Sequence, residues 1–339
     1  MKSLCSPLKR PARAGLGRVW GVFCLSRQTS PKQTSNADLV LAFDVCERLY
    51  QHHISSLQKV LPQTARGRTR HSCLTFSHSA TIQVVRYLLL SDIHANSPAL
   101  EAVLWDAFGR NVDRVISLGD ALGYGPFPAE VLARLRSIEA ECILGNHDTA
   151  LLGLLGGRRT FNMRESIVRT LIWQLEQLGD EDLSWVARWP AQREYRTGRH
   201  SAFLCSHGSP RNGVTYVDTL AIAREEFSLW NGQLCFVGHT HLPVVYSSTQ
   251  APTGEWVGMT ELEGAEVSLD LKVEQRWIVN PGSVGQPRDG DPRAAYGLYD
   301  DETCIFEVHR VDYDLEETAK AIRKAGLDEL SALRLTIGQ

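Results

Sequence analysis

Eight residues of one chemical kind recur along the 339-residue chain: Asp92, His94, Asp120, Asn146, His147, His207, His239 and His241. They are carboxylates, imidazoles and one amide. In an extended loop, residues two apart can point the same way, so Asp92-x-His94 and His239-x-His241 can each grip a cation from two sides. A donor set of oxygen and imidazole nitrogen without thiolate suits Mn²⁺, Fe or Zn²⁺ rather than a soft metal. One carboxylate among many imidazoles can bridge two ions, and Asp120 falls in the middle of the series. Taken singly, each residue has a structural explanation: His207 as a satisfied core histidine, Asn146 as a turn residue, Asp120 as a cap. Together they share one position, directly after a strand-like run.

Those runs must do the positioning. Val84 to Leu90 is an apolar segment that ends in the polar turn Ser91-Asp92-Ile93-His94-Ala95-Asn96, the pattern of a buried strand. Ser97 then reads as N-cap and Pro98 as the first residue of a helix. Asp113–Leu118, Ala140–Leu144, Ala202–Ser206 and Leu234–Val237 are further strands, each ending at Asp120, Asn146-His147-Asp148, His207 or His239-x-His241. Open α/β sheets hold their ligands at the carboxyl ends of strands. Pro128–Ile138 reads as a helix, and 161–189 as a helical insert with Ile167, Leu171 and Leu175 on one face. Strands are expected at 243–248, 265–272, 276–279, Ala294–Asp300 and Thr303–Val311. A closing helix is expected at Leu315–Ala325 behind the cap Asp314, with 326–339 left as a tail.

Charge is unevenly spread. Residues 1–86 carry 13 Lys+Arg and 3 Asp+Glu, whereas the remainder carries 23 and 36. The acidic part is the part with the motifs, which argues against long nucleic acids as partners. Residues 1–83 are Arg- and Ser-rich and poor in acids. They are expected to be disordered, as a transit segment or as an over-long gene reading with translation starting near Val85; a secretory signal fits poorly. Residues 84–325 form the expected domain. None of the eight cysteines makes a C-x-x-C pair, and Cys142, Cys205 and Cys235 lie in apolar runs. Buried reduced thiols in a cytoplasmic protein are the expectation. No apolar run approaches the ~18 residues that span a bilayer.

The blocks Asp92-x-His94, Gly119-Asp120, Gly145-Asn146-His147-Asp148, His207 and Gly238-His239-x-His241 resemble, in order and spacing, the signature of the calcineurin-like metallophosphoesterase superfamily. Ser91–Asn96, Gly123-Tyr124-Gly125-Pro126 and Asn280–Arg288 look like its small bacterial and archaeal branch, often labelled phosphodiesterase or diadenosine-tetraphosphatase-like. The resemblance implies a four-layer αββα sandwich, two mixed β-sheets flanked by helices, with a dinuclear metal site at the strand ends. One ion would take Asp92, His94 and His241, the other Asn146, His207 and His239, with Asp120 bridging; Ni joins Mn²⁺, Fe and Zn as a divalent candidate. The expected reaction is hydrolysis of a phosphodiester or nucleotide phosphate by a hydroxide held between the ions, with His147 as general acid. Asp148 would orient His147 or cap the next segment, and Arg288 and Tyr124 would contact substrate. The protein phosphatases of the superfamily carry Asp-x-x-Asp-Arg-Gly after the bridging Asp. Here Asp120-Ala121-Leu122-Gly123-Tyr124-Gly125 stands instead, which disfavours phosphoproteins and favours small substrates. Retention of every ligand and of His147 disfavours a non-catalytic scaffold.

Overall fold

Strand β1 (Arg86–Leu90) divides its side chains between two cores. Tyr87 and Leu89 enter one shared with a second sheet, while Leu88 and Leu90 enter another shared with helices. That double burial is why the run is continuously apolar rather than alternating. The computed structural model describes residues 85–158, 163–196, 198–252 and 254–339. The expectations for residues 1–83 and a start near Val85 therefore concern, Val85 apart, residues outside those described.

β1 pairs in parallel with β2 (Arg114–Ser117), and β2 with β3 (Glu141–Cys142). On its other side β1 pairs antiparallel with β11 (Ala294–Asp300), which continues to β12 (Ile305–Val311) and β9 (Glu266–Asp270). The second mixed sheet runs β4 (Gln192–Arg196), β5 (Ala202–Ser206), β6 (Leu234–Phe236), β10 (Arg276–Pro281), β7 (Pro243–Ala251), β8 (Gly254–Glu261). Between the sheets lies an aromatic core that includes Tyr87, Phe203, Phe236, Tyr299 and Phe306. The Tyr87 and Phe203 rings meet edge to face at 5.1 Å, a favoured aromatic geometry.

Helices cover both outer faces. The first sheet is covered by α1 (Ser97–Phe108), α2 (Pro128–Ser137), α3 (Asn146–Leu155), α4 (Glu165–Gln177) and α5 (Asp180–Val186). α6 (Leu220–Leu229) covers the second through Ala223 and Phe227. α7 (Leu315–Lys324) and α8 (Glu329–Ile337) form a closing hairpin with its own apolar contact, Ala319 and Ile322 against Ala332 and Leu335. The result is the four-layer αββα sandwich expected from the signature blocks.

Several local readings change. Asn96, not Ser97, caps α1: its side chain accepts from Ala99 N at 3.3 Å. Segment 326–339 is not a tail, since it contains α8 behind the Asp328 cap. The third strand shrinks to two residues because α3 begins at Asn146, so Asn146 and His147 sit in a helical first turn. The described part of the insert, 163–189, belongs to the outer helical layer. Cys142, Cys205, Cys235 and Cys304 are buried free thiols. Among the described residues, no helix is long and apolar enough to cross a membrane.

Candidate metal centre and active site

Both sheets deliver side chains to one edge. The turn after β1 brings Asp92 and His94, the turn after β2 brings Asp120, and β3 leads into Asn146 and His147. From the other sheet, β5 leads to His207 and β6 to His239 and His241. The turns are tight in an unusual way. Asp92, His94, Asp120, His239 and His241 all have positive φ, between 50° and 70°. The left-handed region costs a non-glycine residue roughly 1–2 kcal/mol and concentrates at functional sites. Backbone bonds hold it in place: Asp92 N to Gly119 O at 3.1 Å, His94 N to Asp120 O at 2.9 Å, Gly285 N to Asp92 O at 3.0 Å. Gly145 and Gly238 let the chain close up, because a Cβ at either would overlap Asp120 Oδ1 or Ser91 Oγ.

The imidazoles are aimed. Nδ1 of His94 donates to Leu122 O at 2.9 Å, Nδ1 of His207 to Leu118 O at 2.9 Å, and Nδ1 of His241 to Gln286 O at 2.5 Å. A carbonyl only accepts, so each Nδ1 carries hydrogen and Nε2 is left for a ligand. The Nε2 atoms of His94 and His241 lie 3.2 Å apart. Beside them is Asp92 Oδ1, 3.1 Å from His241 Nε2 and buried without a hydrogen bond. Facing lone pairs beside an unpartnered carboxylate oxygen repel unless a cation sits among them, so this donor set fits a metal ion. Asp120, His207 and His239 form a second such group. Asp120 Oδ2 lies 3.2 Å from His207 Nε2 and 3.8 Å from His94 Nε2, facing both groups. Asn146 Oδ1 is 3.0 Å from His207 Nε2.

Charge balance within the cluster is consistent with this. Burial lowers the His207 pKa, but the charge and hydrogen bond of Asp120 outweigh it and lift it to about 10, so a proton stands where a cation would. Burial raises Asp92, but His241 and His207 hold it below the usual carboxylate range. Burial pushes His239 down to about 3 and His94 well below its usual value, leaving neutral, ligand-ready rings.

His147 lies beside the groups, with Nε2 4.0 Å from Asp120 Oδ2 and its ring 4.8 Å from that of His94. It is near enough to His94 and Asp120 to make a third grouping. Its Nδ1 is buried without a partner. Burial drives its pKa to about 4. Asp148 takes the capping role of the two expected for it: its oxygens accept from Gly145 N at 3.0 Å and Leu122 N at 3.1 Å rather than from the His147 ring. Burial, then the nearby Asp120 charge, raises Asp148 to about 7. Tyr124 is edge-on to His94 at 4.6 Å and 4.7 Å from His147, and Arg288 reaches its hydroxyl at 3.4 Å.

Sequence reasoning missed two neighbours. Gln174 of α4 is fully buried, accepts from Gly123 N and donates to Gly125 O, both at 2.8 Å, and so fixes the loop bearing Tyr124. Its signal was a polar residue three places after Leu171 on a buried helical face. Tyr216 stacks on His239 at 3.7 Å and is 44% exposed; nothing in the sequence around it marks that contact.

Residues 85–303 match the calcineurin-like phosphoesterase superfamily domain. An uncharacterized protein of Methanocaldococcus jannaschii is 31% identical over 251 residues, 74% of this chain and 97% of that protein. A symmetrical bis(5'-nucleosyl)-tetraphosphatase of Paracidovorax citrulli is 35% identical over 112 residues, 32% of this chain and 38% of that protein. A metallophosphoesterase structure from Sphaerobacter thermophilus, 35% identical, superposes with a TM-score of 0.65 over 76% of this chain and all of its own. A Pyrococcus horikoshii structure at 20% identity and TM-score 0.59 shares the fold, over 75% of this chain and 99% of its own. With its metal-ready cluster at the sheet edge and its match from 85 to 303, the chain belongs to the calcineurin-like phosphoesterase superfamily.

Proposed function

We propose that the protein hydrolyses a phosphodiester or nucleotide phosphate at a two-metal centre. The observation that carries this is the paired donor geometry, with Asp92, His94 and His241 on one side, His207, His239 and Asn146 on the other, and Asp120 Oδ2 facing both. Two divalent cations, with Mn²⁺ favoured over Fe, Zn or Ni, would supply Lewis acidity to the phosphoryl oxygens and make water nucleophilic near neutral pH. The protein's own contribution is then positioning and proton transfer. Carbonyls at 118, 122 and 286 keep three imidazoles aimed, which avoids reorganisation during reaction. His147 protonates the leaving oxygen. Its imidazolium is a strong acid, and the charge of a bound phosphate beside it favours protonation. Asp148 keeps Gly145 and Leu122 in place around it, a positioning role. Arg288 and Tyr124 stand at the rim, where a substrate phosphate and an aromatic leaving group would meet them.

A nucleotide substrate is supported by the partial match to the bis(5'-nucleosyl)-tetraphosphatase. Aromatic rings at the rim also fit a base. Asp120-Ala121-Leu122-Gly123 in place of the protein-phosphatase string speaks against phosphoproteins, and the retained His147 speaks against a silent scaffold. Four buried thiols support a reducing cytoplasm. The chemistry is assigned to the residues from 85 onward, and none of it to the basic segment before them.

The test is hydrolysis of bis-p-nitrophenyl phosphate and of the p-nitrophenyl monoester with Mn²⁺, before and after chelation. Diester turnover that disappears with chelator and returns with Mn²⁺ is expected. Absence of turnover on both esters with every transition metal tried would abandon the enzyme reading.

A further inference from the structure

Resting on the phosphoesterase reading above, we infer that Tyr216 is a specificity residue, whose open ring face stacks on the nucleobase of a substrate with its phosphate at the candidate metal centre. The ring lies on that of His239, with centroids 3.7 Å apart and planes 22° from parallel. A candidate ligand therefore covers one face. Tyr216 is nevertheless 44% exposed, so the exposure belongs to the opposite face and the ring edge. A single exposed aromatic side chain needs no special explanation. One held flat against a candidate ligand is different, because a group bound at the centre then has an open aromatic face beside it.

The loop that carries the ring is pinned without a substrate. It leaves β5 through His207, itself a candidate ligand, and backbone bonds cross it: Gly208 N to Gly213 O at 2.8 Å, Gly213 N to Ser209 O at 2.8 Å and Ser209 N to Thr215 O at 3.0 Å. Asn212 Oδ1 accepts from Val214 N and Thr215 N, both at 3.0 Å. The chain closes so tightly that a Cβ at Gly208 would stand 2.8 Å from the Gly213 backbone. On the far side of the ring, Val217 is buried with Ala223 and Phe227 of α6, and its carbonyl accepts from the Tyr246 hydroxyl at 3.1 Å. Thr215 and Val217, immediately before and after Tyr216, are both fixed. A preorganised ring with two side-chain torsions loses little freedom when a ligand stacks on it.

The two tyrosines beside the cluster differ in what they offer. Tyr124 is half-buried against His94 and His147, and its hydroxyl accepts from Arg288 at 3.4 Å. Tyr216 stands at the other donor group, on His239, and is the more open of the two. Every base has a π-face, so stacking there selects for a nucleotide without selecting which base.

The experiment measures competitive inhibition of p-nitrophenyl ester hydrolysis, with Mn²⁺, by AMP and by ribose 5-phosphate, which differ in the base. The parent chain, Tyr216→Phe and Tyr216→Leu are compared at full length, with metal content read alongside. The parent should bind AMP more tightly than ribose 5-phosphate. Tyr216→Leu should raise the inhibition constant of AMP about fivefold to a hundredfold. It should leave that of ribose 5-phosphate within twofold, and Tyr216→Phe should keep both near the parent values. Equal weakening of the two inhibitors in the leucine variant, or loss of its metal, would make Tyr216 a support for His239 alone and overturn the stacking role. So would an AMP constant unchanged by the leucine, or a parent that binds the two inhibitors equally; either leaves the phosphoesterase reading intact. A parent that turns over no p-nitrophenyl ester would remove that reading and the stacking role with it.

Discussion

At the scale of single residues, the two carboxylate oxygens of Asp120 divide their work. Oδ2 faces His207 and His94, while Oδ1 accepts the His147 backbone N–H at 2.8 Å. Asp120→Ala should therefore lose both ions and all measurable turnover, read as metal content after desalting together with diester hydrolysis. A variant that keeps two ions per chain would refute the bridging assignment. His147 makes a contrasting case. Its Nε2 stands 4.0 Å from Asp120 Oδ2, farther than those of His207 and His94, and its Nδ1 is unpartnered. His147→Ala should retain metal and slow the reaction by about 10²–10⁴-fold for alkoxide leaving groups. With p-nitrophenolate, which leaves without protonation, the loss should be much smaller. Equal slowing for both leaving groups would count against proton donation. The same ring is also the one to watch for a structural alternative, since it comes close enough to His94 and Asp120 to join a metal. Metal content of the His147 variant separates the two roles.

One helix supports one loop beside the candidate centre. α4 packs on the outer helical core through Leu171 and turns Gln174 inward to hold Gly123 and Gly125. Between them Tyr124 sits at φ 50°, against both His94 and His147. Gln174→Leu keeps the volume and removes both bonds, leaving the Gly123 N–H and the Gly125 carbonyl without partners. A loss of about 1–3 kcal/mol in unfolding free energy follows from each buried group so orphaned. The kcat should fall about tenfold, with metal content unchanged. An unaltered kcat in a destabilised protein would mean that the loop needs no help from α4. This element was only half legible in the sequence. Ile167, Leu171 and Leu175 announced the helix, but whether Gln174 faced a core or a site depended on a loop more than 45 residues away in the chain. Other elements divide the same way. β1, β5 and β6 were legible because burial on both faces makes their runs continuously apolar. β4 and β8 were missed: Gln192-Arg193-Glu194 and Glu255-Trp256 are half-exposed edge strands without that pattern. α8 was read as a tail because Glu329–Ile337 leaves Leu330, Leu333 and Ile337 at the surface, which blurs its periodicity. The candidate ligands were legible as residue types at strand ends. Their left-handed backbone was not, since Asp and His visit that region more often than most residues but do so at a small minority of positions.

At the scale of the molecule, the candidate centre joins two sheets that otherwise meet through an apolar core. Asp92, His94, Asp120 and Asn146 follow strands of one sheet, His207, His239 and His241 strands of the other. Bound cations would tie the sheets together, and a ligand that binds only the folded chain stabilises it by mass action. At an ion concentration about 100-fold above Kd each site contributes about 2.7 kcal/mol; at about 2–4 °C per kcal/mol, two sites should raise Tm by roughly 10–20 °C. The gain should depend on pH. Without metal, His207 holds its proton up to about pH 10 because Asp120 stabilises it, and a cation must displace that proton. His147, at about 4, and His239, at about 3, are already neutral near pH 7 and release nothing. The proton displaced from His207 makes affinity rise about tenfold per pH unit, or about 1.4 kcal/mol, and Asp148, held at about 7 by burial and the Asp120 charge, adds a fraction of a proton only near pH 7. Between pH 7 and 8.5 the metal-dependent increment should therefore grow by about 2 kcal/mol, some 4–8 °C. Asp120→Ala removes both the proposed bridging ligand and the cause of the His207 shift, so its Tm should not respond to Mn²⁺ at either pH. Thermal unfolding with and without Mn²⁺ at the two pH values measures all of this. A Tm indifferent to metal in the parent protein would show that the two sheets need no cation between their edges.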